Sequence, residues 1–296
     1  FLMLRKPSGI EDNFSPMKTI MITGVSSGIG KALFELLAWA WYTMIGIVRH
    51  DGEEYEKRVR SLTWNENVRV FSCDLSLQSD IVRSMGEIEQ WYKEIDILIH
   101  NAWVYSETRR ETEEGIEMTL AVNVIAPFLV TERLLPLLTR AQWKVYMIGS
   151  IGERYGKIDW NDLMNEHHYS GNAVYNESKL LLTLLTYAFA THFLEHHLSF
   201  FVIHPGPTST SLIEDSDVKK MPWYLRIIFT LVRRFRQTPW DAAETIRKII
   251  TAPHKVETAL FFVNGKSVSS SETSYDPRLQ EKIWNICHDL TSSHRL

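Results

Sequence analysis

From residue 17 onward, short apolar runs alternate with longer stretches of helical periodicity, and few architectures accommodate that order. The runs fall at 19–22, 44–48, 68–72, 95–99, 145–148, 200–203 and 259–263. Helical stretches of about 10–25 residues separate them. Strands this apolar need cover on both faces, which helical crossovers between parallel strands provide. The order predicts an α/β fold: one doubly wound, Rossmann-type parallel sheet of about seven strands flanked by helices. Long helices are expected at 115–139, with Pro136 marking a last turn or break, and at 173–197. No low-complexity linker or solenoid repeat divides the 296 residues, so residues 17–296 read as one domain. Residues 1–16 precede Met17-Lys18 and read as an appendage: a leader, a tag or a misplaced start.

Composition removes several function classes. A net charge of −4 argues against nucleic-acid binding, which would show a basic excess. The two cysteines, Cys73 and Cys287, lie far apart without metal-ligand spacing, so neither a disulfide framework nor a zinc site is expected. His167-His168 and His196-His197 are adjacent pairs without an accompanying carboxylate cluster and read as surface histidines; no metal is expected. A reducing, cytoplasmic setting fits this cysteine usage. No uninterrupted apolar run reaches the roughly 18 residues that would span a bilayer.

Two local patterns carry chemistry. Residues 23–30, Thr-Gly-Val-Ser-Ser-Gly-Ile-Gly, follow a strand and open a helix. Glycines let the backbone approach a ligand, and a helix N-terminus presents free N–H groups to a phosphate. The alternative is a tight strand–helix turn without a ligand. Further along, Tyr175 and Lys179 lie one helical turn apart on one face. An ammonium beside a phenol lowers its pKa from about 10 and suits it to proton transfer near neutrality. By itself, such a pair is equally a surface tyrosine beside a solvated lysine.

The set as a whole resembles the short-chain dehydrogenase/reductase family. The matching positions are residues 23–30, Asp74-Leu75 after the third strand, Asn101-Ala102 after the fourth, Asn123 in the long helix, Ser150 after the fifth, Tyr175/Lys179, and His204-Pro205-Gly206. The Ser150-to-Tyr175 spacing, the stretch 154–163, Arg109-Arg110-Glu111-Thr112 and the tail 275–284 are similar to the retinol-dehydrogenase-like branch. The resemblance implies an oxidoreductase acting on an alcohol, or the matching ketone or aldehyde, of a small apolar molecule. A nicotinamide dinucleotide would carry the hydride. It also implies catalytic roles for Asn123, Ser150, Tyr175 and Lys179. Tyr175 would be the general acid/base, Lys179 would lower its pKa and bind the cofactor ribose, Ser150 would donate to the substrate oxygen, and Asn123 would order a water. Expected cofactor contacts are Gly24, Ser26, Ser27, Gly28, Ile29, Gly30, Arg49, Asp74, Leu75, Asn101, Ala102, Tyr175, Lys179, Pro205 and Gly206. Asp74 would hold the adenine edge, or serve only as a cap or turn residue.

Cofactor choice rests on the end of the second strand. NAD sites usually place an acidic side chain there for the ribose 2′-OH, whereas this chain has Arg49, whose planar fork suits a 2′-phosphate. NADP(H) is therefore the preferred cofactor and NAD(H) the alternative. Asp51 falls two residues late and reads as a helix cap. Residues 219–237 mix Trp223, Tyr224, Ile227, Ile228 and Phe229 with Arg226, Arg233, Arg234 and Arg236. By resemblance they belong to a substrate lid at about 207–238; the same stretch could rest on a membrane surface, which would make the protein peripheral. The two long helices match those that form homodimers in relatives.

Three tryptophans depart from the family pattern. Trp103 stands where glycine follows Asn-Ala, and an indole there would clash with the cofactor or push the loop outward. Trp41 and Trp143 occupy glycine positions at the turns expected before the second and fifth strands. The rival functional reading is a catalytically silent nucleotide-binding protein of the same fold.

Overall fold

A computed structural model describes residues 18–138, 143–196, 198–206, 237–252 and 257–294. The expected appendage at 1–16 and almost all of the expected lid at 207–238, including every residue of the basic aromatic stretch 219–237 except Gln237, lie outside the described residues, as does His197.

Strand β1 (Thr19–Thr23) leads through α1 (Gly28–Trp39) to β2 (Thr43–Val48), and α2 (Gly52–Thr63) leads to β3 (Val68–Ser72). Helix α3 (Gln78–Trp91) precedes β4 (Ile97–His100), and α4 (Met118–Leu138) precedes β5 (Trp143–Ile148). Helix α5 (Gly171–His192) precedes β6 (Leu198–His204), and α6 (Pro239–Thr251) precedes β7 (Leu260–Val263). A short β8 (Lys266–Val268) and α7 (Pro277–Thr291) follow. The sheet order is β3-β2-β1-β4-β5-β6-β7-β8, parallel through β7. The order reverses beside β1, and in such sheets ligands bind at the strand C-termini near that reversal.

Strand residues divide cleanly between two cores. Ile20 and Ile22 of β1, Ile97 and Ile99 of β4, and Tyr146 of β5 pack with Leu33, Phe34 and Leu37 of α1 and Ile246 of α6. Met21, Leu98, Val145 and Met147 face the opposite way, toward Met85 of α3, Val124 and Phe128 of α4, and Leu181 and Leu185 of α5. Period-two alternation with both faces buried accounts for the near-continuous apolar runs. Each fully buried Leu, Ile or Phe contributes about 1.5–3 kcal/mol from burial.

Three sequence expectations need correcting. The sheet has an eighth strand, β8, antiparallel to β7. Asn264 and Gly265 connect them with φ values of 49° and 82°, and Asn-Gly at two positive-φ positions is a two-residue hairpin turn. Trp143 is not in a turn: it begins β5 opposite Leu198 and is buried. Helix α4 is long and apolar enough to cross a membrane by length and composition, although 78% of its most apolar window is buried inside the fold. Helices α3 and α6, expected between strands but without bounds, carry narrow apolar stripes: Ile81, Met85 and Ile88 in the first, Ile246, Ile249 and Ile250 in the second.

Trp41 does occupy a left-handed turn, with φ of 63°. Its N–H bonds the Ala38 carbonyl, and the next N–H, of Tyr42, reaches Leu37. That pair of bonds closes α1 in the motif that favours glycine at the position Trp41 holds.

Candidate functional site

Residues 23–30 place the start of α1 at the C-terminal end of β1. Ser27 is the N-cap residue in extended conformation, but its side chain makes no capping bond, so the first N–H groups of the helix remain directed outward. A Cβ on Gly30 would lie 2.2 Å from Asn101 Nδ2 and 2.3 Å from the Gly24 carbonyl oxygen, so that position admits only glycine. Gly28, with φ of 58°, has nothing within 4 Å of the place where a Cβ would be. Its backbone borders open space in a cleft of about 800 Å³. A backbone without side chains, ending in unsatisfied donors, fits a dinucleotide pyrophosphate.

The same cleft is lined by Gly24, Ser26, Ser27, Ile29, Arg49, Asp74, Leu75, Asn101 and Ala102, all anticipated from sequence. It is also lined by Ile47, Val48, His50, Asp51, Cys73, Trp103, Val104 and Val122, which were not assigned to it. Most of these flank an assigned residue at a strand end, and that adjacency was the available signal. Arg49 Nε lies 4.0 Å from Asp74 Oδ2, and both side chains are partly exposed. Asp74 also accepts from the N–H and hydroxyl of Ser76, so it shapes its own turn. Asp51 stands at the start of α2 with φ of 58° but makes no side-chain cap.

The loop after β4 is fastened on both flanks. Thr23 Oγ1 accepts the N–H groups of Asn101 and Ala102, and Asn101 Nδ2 donates to the carbonyls of Thr23 and Gly24. On the far flank, Asn123 Oδ1 accepts from Val104 N–H at 2.8 Å while its Nδ2 donates to the Val104 carbonyl and to Ser178 Oγ. Asn123 reaches this loop from a π-helical turn in α4, Ala121–Ile125, an irregularity often found at functional sites. The loop that carries the indole keeps hydrogen bonds on both sides of it. Every one of these bonds forms, and Trp103 is absent from the described residues with positive φ.

Ser150, Tyr175 and Lys179 lie together beyond β5. Ser150 begins the short turn Ile151–Tyr155, accepts from Gly152 N–H at 3.1 Å, and faces the Tyr175 phenol closely enough to lower its pKa. Lys179 is buried, donates from Nζ to the Ile148 carbonyl at 3.1 Å, and lies 5.7 Å from the centre of the Tyr175 ring. Burial pushes the Tyr175 pKa up, and Ser150 works against that rise. Burial likewise pushes the Lys179 ammonium down to about 7. The expected tuning of Tyr175 by the charge of Lys179 is therefore corrected: desolvation dominates both groups, and Ser150 supplies the opposing effect. Two rings meet Tyr175 at T-shaped angles, Trp103 with centroids 5.8 Å apart and Tyr105 at 6.2 Å. Pro205 and Gly206 follow β6 and are buried, outside the lining of the cleft. His204, at the strand end, is pushed down to about 4 by burial and then by the charge of Lys179. Among the described residues, no group of three His, Cys, Asp or Glu side chains gathers as a metal site.

Comparison with known proteins agrees with this arrangement. Residues 18–220 match the family model described as short chain dehydrogenase. Human retinol dehydrogenase 12 is 29% identical over 283 residues, covering 93% of this chain and 86% of that protein. An uncharacterised protein from Mycobacterium paratuberculosis superposes with a TM-score of 0.72 at 24% identity, covering 93% of both chains. NADPH-bound carbonyl reductase from chicken fatty liver superposes with a TM-score of 0.64 at 17% identity, covering 86% of this chain and 99% of that one.

Proposed function

This chain belongs to the short-chain dehydrogenase family and is an oxidoreductase, and we propose that it interconverts an alcohol and a ketone or aldehyde on a small apolar molecule, using NADP(H) in preference to NAD(H). The observation that carries the proposal is the placement of Ser150 beside the Tyr175 phenol, with Lys179 one turn further along α5.

When bound, the cofactor supplies or accepts the hydride. Gly24, Ser26, Ser27, Gly28, Ile29 and Gly30 would hold its pyrophosphate, with Asp74, Leu75, Asn101 and Ala102 alongside. Arg49 would pair with a 2′-phosphate, a preference supported by its place in the cleft and by the NADPH-bound structural relative. In reduction, Tyr175 gives its proton to the oxygen on which charge develops; in oxidation it takes the alcohol proton. A raised pKa keeps Tyr175 as the phenol near neutrality, the form that reduction consumes, and also makes that phenol a weaker acid. Ser150 donates to the substrate oxygen while Gly152 N–H holds Ser150 in place. Lys179, fixed by the Ile148 carbonyl, would hold the cofactor ribose. Asn123, in this structure, holds the Val104 backbone and Ser178.

An apolar substrate is supported by the similarity to a retinol dehydrogenase, named for an apolar alcohol, and by the aromatic sequence at 219–237 in the proposed lid. The test is NADPH oxidation across a panel of apolar aldehydes and ketones, with NADP-dependent oxidation of the matching alcohols. Turnover of at least one pair is expected, and none with any pair rejects the reading. One observation favours the silent alternative: Trp103 stands against Tyr175 at the end of the cleft.

A further inference from the structure

Among the described residues, Trp103 both lines the cleft and meets the ring of the proton donor. Its indole belongs to the cleft wall, yet it meets the Tyr175 ring with centroids 5.8 Å apart at 65°. Ser150, Tyr175 and Lys179 lie outside the cleft lining, which ends on this side at Ala102, Trp103, Val104 and Val122. Hydride transfer here needs the reactive end of a dinucleotide beside Tyr175, whose ring Trp103 covers edge-on.

We infer that Trp103 is a gate: its side chain must swing off Tyr175 before the reactive end of a dinucleotide can be seated beside the phenol. The inference rests on the oxidoreductase reading above and adds a positioning residue to it. The backbone cannot do the moving, because Thr23 holds the N–H groups of Asn101 and Ala102, and Asn123 holds both polar groups of Val104. Nor is there left-handed strain at Trp103 to release. What remains is rotation of a half-buried indole about its own side-chain torsions, against the loss of one T-shaped aromatic contact.

A gate of this kind divides the two ends of the cofactor energetically. The adenine end meets a cradle that is already formed, at Gly28, Arg49 and Asp74. The other end is accommodated only by the fraction of molecules with the gate open, and apparent affinity falls by that fraction. An edge-on aromatic pair corresponds to a bias of about 2- to 10-fold.

The test is calorimetric binding of NADPH, and of adenosine 2′,5′-bisphosphate as its adenine end, to the wild type and to Trp103→Ala. NADH and ADP form the parallel pair. The gate predicts that Trp103→Ala binds the dinucleotide about 2- to 10-fold more tightly while the adenine-end affinity changes less than about twofold. Trp103→Phe, retaining a smaller ring, should fall between the two. Equal tightening of both ligands, or weaker dinucleotide binding by Trp103→Ala, removes the gate and leaves the oxidoreductase reading standing. If neither protein binds any of the four ligands, the dinucleotide reading fails and the gate fails with it.

Discussion

Ser150, beyond the end of β5, faces the Tyr175 phenol in the first turns of α5 and opposes the burial that raises the phenol pKa. The serine is itself held by Gly152 N–H. The proton donor is thus positioned by a strand end and a short turn, while Lys179, the partner that sequence suggested, is fastened to the Ile148 carbonyl.

Lys179 should make the stability of the fold depend on pH. Burial lowers its pKa from an ordinary 10.5 to about 7, so between those values the unfolded chain binds a proton that the folded chain does not. Stability then rises with pH through that window, by up to about 1.4 kcal/mol per unit. Lys179→Met removes this slope. Urea unfolding at pH 7, 8 and 9.5 should show the variant ahead at pH 7 and the wild type gaining on it as pH rises. A gap independent of pH would contradict the burial argument.

Glu177 should act in the opposite sense. Burial raises its carboxyl to about 7, and its oxygens accept from Asp159 N–H and Asn165 Nδ2 in the segment after β5. The folded chain therefore keeps a proton that the unfolded chain releases above about 4.5, and this contribution is lost as pH climbs to about 7. Glu177→Gln should gain on the wild type between pH 5 and 7.5, read as a rising difference in melting temperature. A difference that stays flat, or shrinks, would argue against a protonated Glu177.

Trp41 is misplaced for its backbone. Left-handed φ costs a side-chain-bearing residue on the order of 1 kcal/mol, and this indole is 47% exposed, so its removal forfeits little burial. Trp41→Gly should raise unfolding stability by about 1 kcal/mol in denaturant titration. A loss of stability would show that the indole has packing worth more than the strain.

Arg49 should decide between the two dinucleotides. Removing a charge-assisted partner of a 2′-phosphate weakens NADPH binding by about 10- to 100-fold, while NADH, which lacks that group, should change less than about twofold. Titration of Arg49→Ala with both cofactors checks this, and equal losses would place Arg49 away from the phosphate.

Much of this was readable in the chain. The strand runs are legible because both sheet faces are buried, which writes most of them as near-continuous apolar runs. Residues 23–30 and Asn101 are legible because the Asn101 amide and the Gly24 carbonyl crowd the place where a Cβ would sit and leave no substitute for Gly30. The direction of the Tyr175 pKa was not, since desolvation depends on what α4 and the loop after β4 place over the ring. Nor was the fate of Trp103. Sequence sets an indole where glycine usually stands, but only the fixed flanks at Thr23 and Asn123 show that the loop is held on both sides and the ring lodges against Tyr175. The Asn264-Gly265 hairpin could have been read from its two residues alone.

The central claim is that Tyr175 moves the proton. The most direct measurement compares NADPH-dependent reduction of an apolar carbonyl by the wild type and by Tyr175→Phe, each saturated with cofactor. The account predicts a loss of about 10²- to 10⁴-fold in kcat with cofactor affinity nearly unchanged. Equal turnover by the two proteins would contradict it.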